Sequence, residues 1–315
     1  MDRFAHIAEQ VLPILLLLGL GRAFGRWNFL SQTTVDDLKR LVVNVALPSV
    51  LFLSFLKIEL HISYLSLFFV ILAVCVGLYF LGCFGARFCP EDKEELPFLM
   101  TGFEYGMLGI SLFGGAYGLD AIGYIAVVDL GHEFFIWFVY LALLISRQEG
   151  GVRPGRLASM FVTSPVILAV CLGLGLNAAG FGTTILGLPV FGAVGSALEL
   201  LGALTVPLVL IIVGYGVRIE RSNLCLALAV TTARVLVCVP LALLLNVYVL
   251  RGMLGLGRPF ELALFTLFIL PPPFILPLFM KGKESDLQRV NSVLAVHTVV
   301  SVFLFIGFLA MNPVL

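Results

Sequence analysis

The chain has 315 residues, of which 60% are hydrophobic and 12% charged, with a net charge of zero and a mean hydropathy of +1.10. No water-soluble domain carries that much apolar surface, so the bilayer is the solvent and membrane lipid the surrounding partner. The 19 basic residues are dispersed rather than gathered into a stripe, which argues against nucleic acid as a partner.

The opening MDRFAHIAEQ lacks the basic stretch and small-residue cleavage site of a secretory signal, so the first helix is expected to be retained. A span needs about 20 apolar residues, and cutting the chain at its charged or Gly/Pro-rich breaks predicts ten. They cover residues 7–25, 37–56, 63–88, 96–118 and 121–146, then 158–179, 195–217, 222–250, 259–280 and 288–311. The hydrophilic segment RQEGGVRPGR at 147–156 is the natural central linker, separating a first five-helix repeat (1–150) from a second (151–315). Cys75, Cys83, Cys89, Cys171, Cys225 and Cys238 show no ligand-like spacing and read as small apolar residues, so no metal or cofactor is expected.

Fourteen Lys and Arg residues fall in the loops of one side and four in those of the other. Cytoplasmic loops retain positive charge, so both termini are expected outside the cell membrane. The halves align by eye: NVALPSVLF in span two lies near LTVPLVLIIVG in span seven, YGMLGIS in span four near ILPPPFI in span nine, and His132 in span five near His297 in span ten. Five spans per half is an odd number, so the second half is inverted relative to the first, a common plan for alternating-access carriers.

Span nine holds Pro271, Pro272, Pro273 and Pro277, and consecutive prolines delete backbone donors that a continuous helix requires. A break near mid-membrane is expected there. Span four carries Gly102, Gly106, Gly109, Gly114 and Gly115, with Ser111 available to bond freed backbone groups, so it could break correspondingly. Half-helix ends at membrane depth bring partial charges to a substrate; a simple kink, or glycines serving close packing, is the alternative.

Ionisable groups inside spans are costly and mark function by default. Here they are Glu104, Asp129, His132, Glu133, Arg234 and His297. Asp129, His132 and Glu133 share one helix face by their i, i+3, i+4 spacing, and a carboxylate there could carry a coupling proton. The alternative is a structural ion pair of Arg234 with Glu104, Asp129 or Glu133. Asn44, Ser49 and Ser54 surround Pro48 in span two, and Thr205 precedes Pro207 in span seven. Such groups either bind substrate or bond their own backbone. Glu59, His6 and His61 near span ends read as interfacial.

Taken together, LVVNVALPSVLF, EYGMLGISLFGGAYGLDAIGYIAVVDLGHEF, TVPLVLIIVGYGV, TARVLVCVP and the proline-rich break run nearly end to end. In order and spacing the chain resembles the auxin efflux carrier family, which includes plant efflux carriers and bacterial malate or malonate permeases. The resemblance implies the fold of bile-acid symporters and sodium/proton antiporters. In that fold helices four and nine cross as broken helices, spans one, two, six and seven form a scaffold, and the rest move as a crossing bundle. It implies an organic anion, usually a carboxylate, as substrate, and homologues are often dimers. The family commonly shows NTGFLGLP where this chain has EYGMLGIS, so Glu104 stands at the asparagine and Ser111 at the proline; its DLGN stretch is DLGH here, Asp129 to His132.

These readings converge on a secondary transporter of a small organic anion in the inner or plasma membrane, with no catalytic residues. The substrate site is expected to comprise Asn44, Pro48, Ser49, Glu104, Tyr105, Ser111, Pro271, Pro272 and Pro273. Glu104, Asp129, His132, Glu133, Arg234 and His297 would serve coupling or charge balance, with H+ or Na+ as the coupling ion. The rivals are a sensor that keeps the carrier fold without cycling and a sodium-coupled symporter of the bile-acid type. No HExxH or GxSxG arrangement supports a membrane enzyme.

Overall fold

The computed structural model describes residues 2–59, 61–88, 94–149, 154–216, 221–280 and 284–312; residues 150–153 of the expected linker 147–156, and Cys89, lie outside them. Among the described residues all regular structure is helical: α1 (Asp2–Arg26), α2 (Gln32–Lys57), α3 (Ser63–Gly85), α4 (Leu96–Met100), α5 (Ile110–Tyr117), α6 (Leu119–Ser146), α7 (Pro154–Val162), α8 (Pro165–Ala178), α9 (Pro189–Ala203), α10 (Thr205–Gly216), α11 (Leu224–Met253), α12 (Arg258–Phe268), α13 (Leu276–Phe279) and α14 (Glu284–Met311). Seven continuous or nearly continuous helical stretches are long and apolar enough to cross a membrane, and α8 is apolar but shorter. The stretch from α12 to α13 is not among them, because its prolines divide it into two short pieces.

Local sequence explains the helix ends and irregularities. Ser31 caps α2 by accepting from the Thr34 amide at 3.1 Å. Inside α2 the turn at Val42–Ala46 widens, so that the Leu47 amide reaches back five residues to Val42. Pro48 follows at once: its ring crowds the carbonyl four residues back and it has no N–H to give, and a widened turn relieves both. At the other end of α2, the Asn177 side chain on α8 donates to the Phe55 and Ile58 carbonyls at 2.9 and 2.6 Å, satisfying groups the helix cannot satisfy itself.

The helices pack in recurrent pairs: α1 on α10, α2 on α8 and α9, α3 on α6 and α4, α11 on α14 and α12, and α12 on α6. Small residues permit the closest of these. Gly21 on α1 faces the Ile211 carbonyl and Gly214 on α10 faces the Leu18 carbonyl, each leaving no room for a Cβ. At Gly131 on α6 a Cβ would strike the Phe68 carbonyl, and at Gly173 on α8 it would lie 2.7 Å from the Phe52 oxygen. Lipid tails are as apolar as Leu, so such backbone-close packing supplies much of the association between membrane helices.

Candidate functional site: the meeting of two interrupted helices

The apolar stretch Leu96–Tyr117 is interrupted after α4. Residues 101–104 are not helical, with Thr101 extended and Gly102 at a φ of +70°, a region that favours glycine. The chain re-enters helix through a wide turn, Tyr105–Gly109, before α5. The second interruption lies between α12 and α13, where Pro271, Pro272 and Pro273 are buried and non-helical. The two breaks meet. The Glu104 amide donates to the Pro271 carbonyl at 2.8 Å, and Gly102 lies so close to Pro273 that a Cβ would come within 2.7 Å of its ring.

Glu104 is the hinge of this meeting. Its side chain accepts from the Met107 amide of its own wide turn at 3.2 Å and from the Phe274 amide of the other break at 2.6 Å. One buried carboxylate therefore closes the N-terminal ends of both second halves, where freed N–H groups and the helix dipole favour negative charge. Arg234, fully buried on α11, does the converse: its guanidinium donates to the carbonyls of Leu99 and Gly102 at 2.8 Å each and of Leu270 at 3.3 Å. It also lies 5.3 Å from the Phe103 ring centroid, and Phe103 stacks on Phe268 of α12 at 5.0 Å. Of the two alternatives for Arg234, the ion pair is not formed: among the described residues it bridges to none of Glu104, Asp129 or Glu133, and backbone carbonyls freed by the breaks take its terminal N–H groups while Nε has no partner.

Asp129 and His132 form a relay onto the first break. The Phe103 amide donates to His132 Nε2 at 2.8 Å, and Nδ1 lies 2.7 Å from Asp129 Oδ1. A backbone N–H can only donate, so Nε2 is an acceptor and Nδ1 carries the proton that Asp129 accepts. Asp129, His132 and Glu133 present ligand atoms within 4.8 Å of one another, but both ring nitrogens of His132 are committed and Glu133 accepts from the Trp137 indole at 3.0 Å. The grouping is therefore occupied by its own hydrogen bonds. His297, the counterpart of His132 by sequence offset, is buried with its Nδ1 unpartnered, while Ser301 donates to the Ile269 carbonyl at the second break.

The other expected site residues divide. Tyr105 is buried with an unpartnered hydroxyl, and Ser111 is buried but turns back to the Met107 carbonyl at 2.7 Å. Ser49 likewise bonds the Val45 carbonyl at 2.7 Å. Asn44 is exposed and donates to Arg40 of its own helix at 2.8 Å, so the structure does not aim its amide at the breaks, and Pro48 is only part-buried beside it.

A cavity of about 920 Å³ lies elsewhere, and none of those nine substrate-site residues lines it. Its walls come from the end of α2, the start of α3, the start of α6, α9 and the approach to α12, and include Lys57, Glu59, His61, Tyr64, Tyr124 and Glu199. Lys57 lies 3.3 Å from Glu199 and 3.9 Å from Asp120. Tyr64 and Tyr124 pack on Phe260 at 5.4 and 5.1 Å between ring centroids. Sequence reasoning passed over these residues: Lys57, Glu59 and His61 lie at span ends, and Glu199 is a lone carboxylate inside the seventh expected span.

Comparison with known proteins points to membrane transport. A family model described as membrane transport protein matches residues 6–155. An uncharacterized transporter of Methanothermobacter thermautotrophicus is 29% identical over 241 residues, covering 74% of this chain and 76% of that protein. Over residues 6–155 the chain is thus similar to membrane transport proteins, in keeping with the auxin efflux carrier family that its sequence resembles.

Proposed function

We propose that the protein is a secondary transporter that moves a small organic anion across the cell membrane by alternating access, with the meeting of the two interrupted helices as its centre. The observation that carries this reading is the double tie of Glu104, whose side chain and backbone join the two breaks. Interrupted helices at membrane depth are how carriers present backbone charge to a substrate.

The packing pairs support a ten-span, five-plus-five inverted plan. In the numbering of the expected spans, the first packs on the seventh as the sixth packs on the second, and the third on the fifth as the eighth on the tenth. Such swapped pairs are what an inverted repeat produces. The cavity is bounded by spans two and seven on one side and by spans three, five and nine on the other. In this reading it is the vestibule of an outward-facing state, between a scaffold of spans one, two, six and seven and a mobile bundle of the rest.

Counterflow in proteoliposomes with a panel of radiolabelled carboxylates tests the proposal, comparing wild type with Glu104→Gln across pH. Saturable carboxylate exchange supports it; folded protein with no exchange of any carboxylate returns the chain to the sensor reading. A second substrate class has an observation in its favour. Glu59, Asp120 and Glu199 outnumber Lys57 around the cavity, which suits a substrate with a cationic group, and the same panel should include amino acids and amines.

A further inference from the structure

Carriers with interrupted helices that couple to sodium hold the ion on carbonyls released by the unwinding. In this chain those carbonyls are already engaged. Leu99 and Gly102 at the first break and Leu270 at the second accept from one guanidinium. Ile269 accepts from Ser301, and Pro271 from the Glu104 amide. The guanidinium reaches this point from a third helix, α11, and is fully buried. Among the described residues no carboxylate pairs with it, so the carbonyl dipoles and the Phe103 ring face its charge directly. A planar cation with five donors can engage carbonyls from two separate chain breaks at once, as the oxygen shell of a metal cation would.

We propose that Arg234 is the resident cation of the meeting point: it holds permanently the carbonyl set that a coupling sodium ion would need there, so that sodium neither binds at this point nor drives transport through it. The proposal rests on the transporter reading for the meaning of coupling, and deepens it. Occupancy by Arg234 is a property of the folded chain and can be read without any flux. Glu104, with no cation facing it among the described residues, then remains as a group at the same point that can exchange a proton.

The test is the thermal unfolding midpoint of the purified chain in detergent, with sodium chloride against choline chloride at equal ionic strength. Wild type is expected to show the same midpoint in both. Arg234→Ala is expected to fall by about 5–10 °C, since it strips the carbonyls of both breaks of their donor. Guanidinium chloride at low millimolar concentration should restore part of that loss, sodium less, and choline none. Arg234→Lys keeps a charge but cannot span both breaks, so it should be intermediate and insensitive to all three salts; it serves as the readout if the alanine variant does not fold. A sodium-specific rise in the wild-type midpoint would overturn the proposal, as would Arg234→Ala or Arg234→Lys variants as stable as wild type. If the shifts appear but no substrate is ever carried, the transporter reading fails and the resident cation stands.

Discussion

Arg234 and Glu104 serve opposite ends of the same two interrupted helices without pairing with each other. The guanidinium takes carbonyls at the C-terminal ends of the first halves, and the carboxylate takes amides at the N-terminal ends of the second halves. Each charge thus sits where the half-helix dipoles favour its sign. This explains how two ionisable groups are tolerated in so apolar a setting without a salt bridge.

Glu104→Gln tests the carboxylate half of that arrangement. A glutamine offers one acceptor oxygen, so it can serve the Phe274 or the Met107 amide but not both. A loss of about 1–3 kcal/mol in stability is expected. Protonation of Glu104 weakens its hold on the two amides, so wild-type exchange should rise as pH falls, whereas the variant should be flat. A variant that keeps the wild-type pH profile would remove Glu104 from coupling.

His132→Ala should be far more damaging than Asp129→Asn. Losing the imidazole strands the Phe103 amide and leaves Asp129 buried without its donor, at a cost of about 3–5 kcal/mol. The asparagine retains an acceptor for the Nδ1 proton and should cost about 1 kcal/mol. Chemical or thermal unfolding of the two variants measures the difference, and equal losses would contradict the relay.

Gly21→Ala and Gly214→Ala should each loosen α1 from α10, because the new methyl meets a backbone carbonyl that no rotamer change can move aside. Overpacking of that kind costs about 1–3 kcal/mol. Gly19→Ala, on the same helix but with nothing within 4 Å of the added carbon, should be neutral or stabilising by up to about 1 kcal/mol. Unfolding midpoints of the three variants check the contrast.

Lys57→Gln separates fold from entry. Its partners Glu199 and Asp120 are themselves solvent-exposed, so stability should change by less than about 1 kcal/mol. Removing a cation from the cavity wall should slow uptake of an anion several-fold at low salt, with the gap narrowing as salt screens it. Uptake that is unchanged at low salt would take the cavity off the anion's path; faster uptake of an amine would favour the cationic substrate.

The interruptions were legible because a helix break is a local matter. Three consecutive prolines remove donors whatever surrounds them, and Gly102 supplies the left-handed turn that other residues resist. The bonding of Ser49 and Ser111 to their own helices was likewise one of two outcomes that sequence permits. The partners of Arg234 were not legible: Leu99 lies 135 positions away along the chain, and carbonyls carry no side-chain signature, so the charge-pair alternative looked equally sound. Its neighbourhood to Pro48 points Asn44 to the site, but its amide turns to the Arg40 carbonyl instead.

By itself, then, the sequence determined the solvent, through composition, and the places where helices must break, through residues that lack a donor or tolerate unusual φ. Only the tertiary structure decided which groups satisfy the broken ends and where the cavity lies. Those answers depend on helices far apart in the chain meeting in space, and a buried charge goes to whichever unsatisfied dipoles that meeting brings within reach.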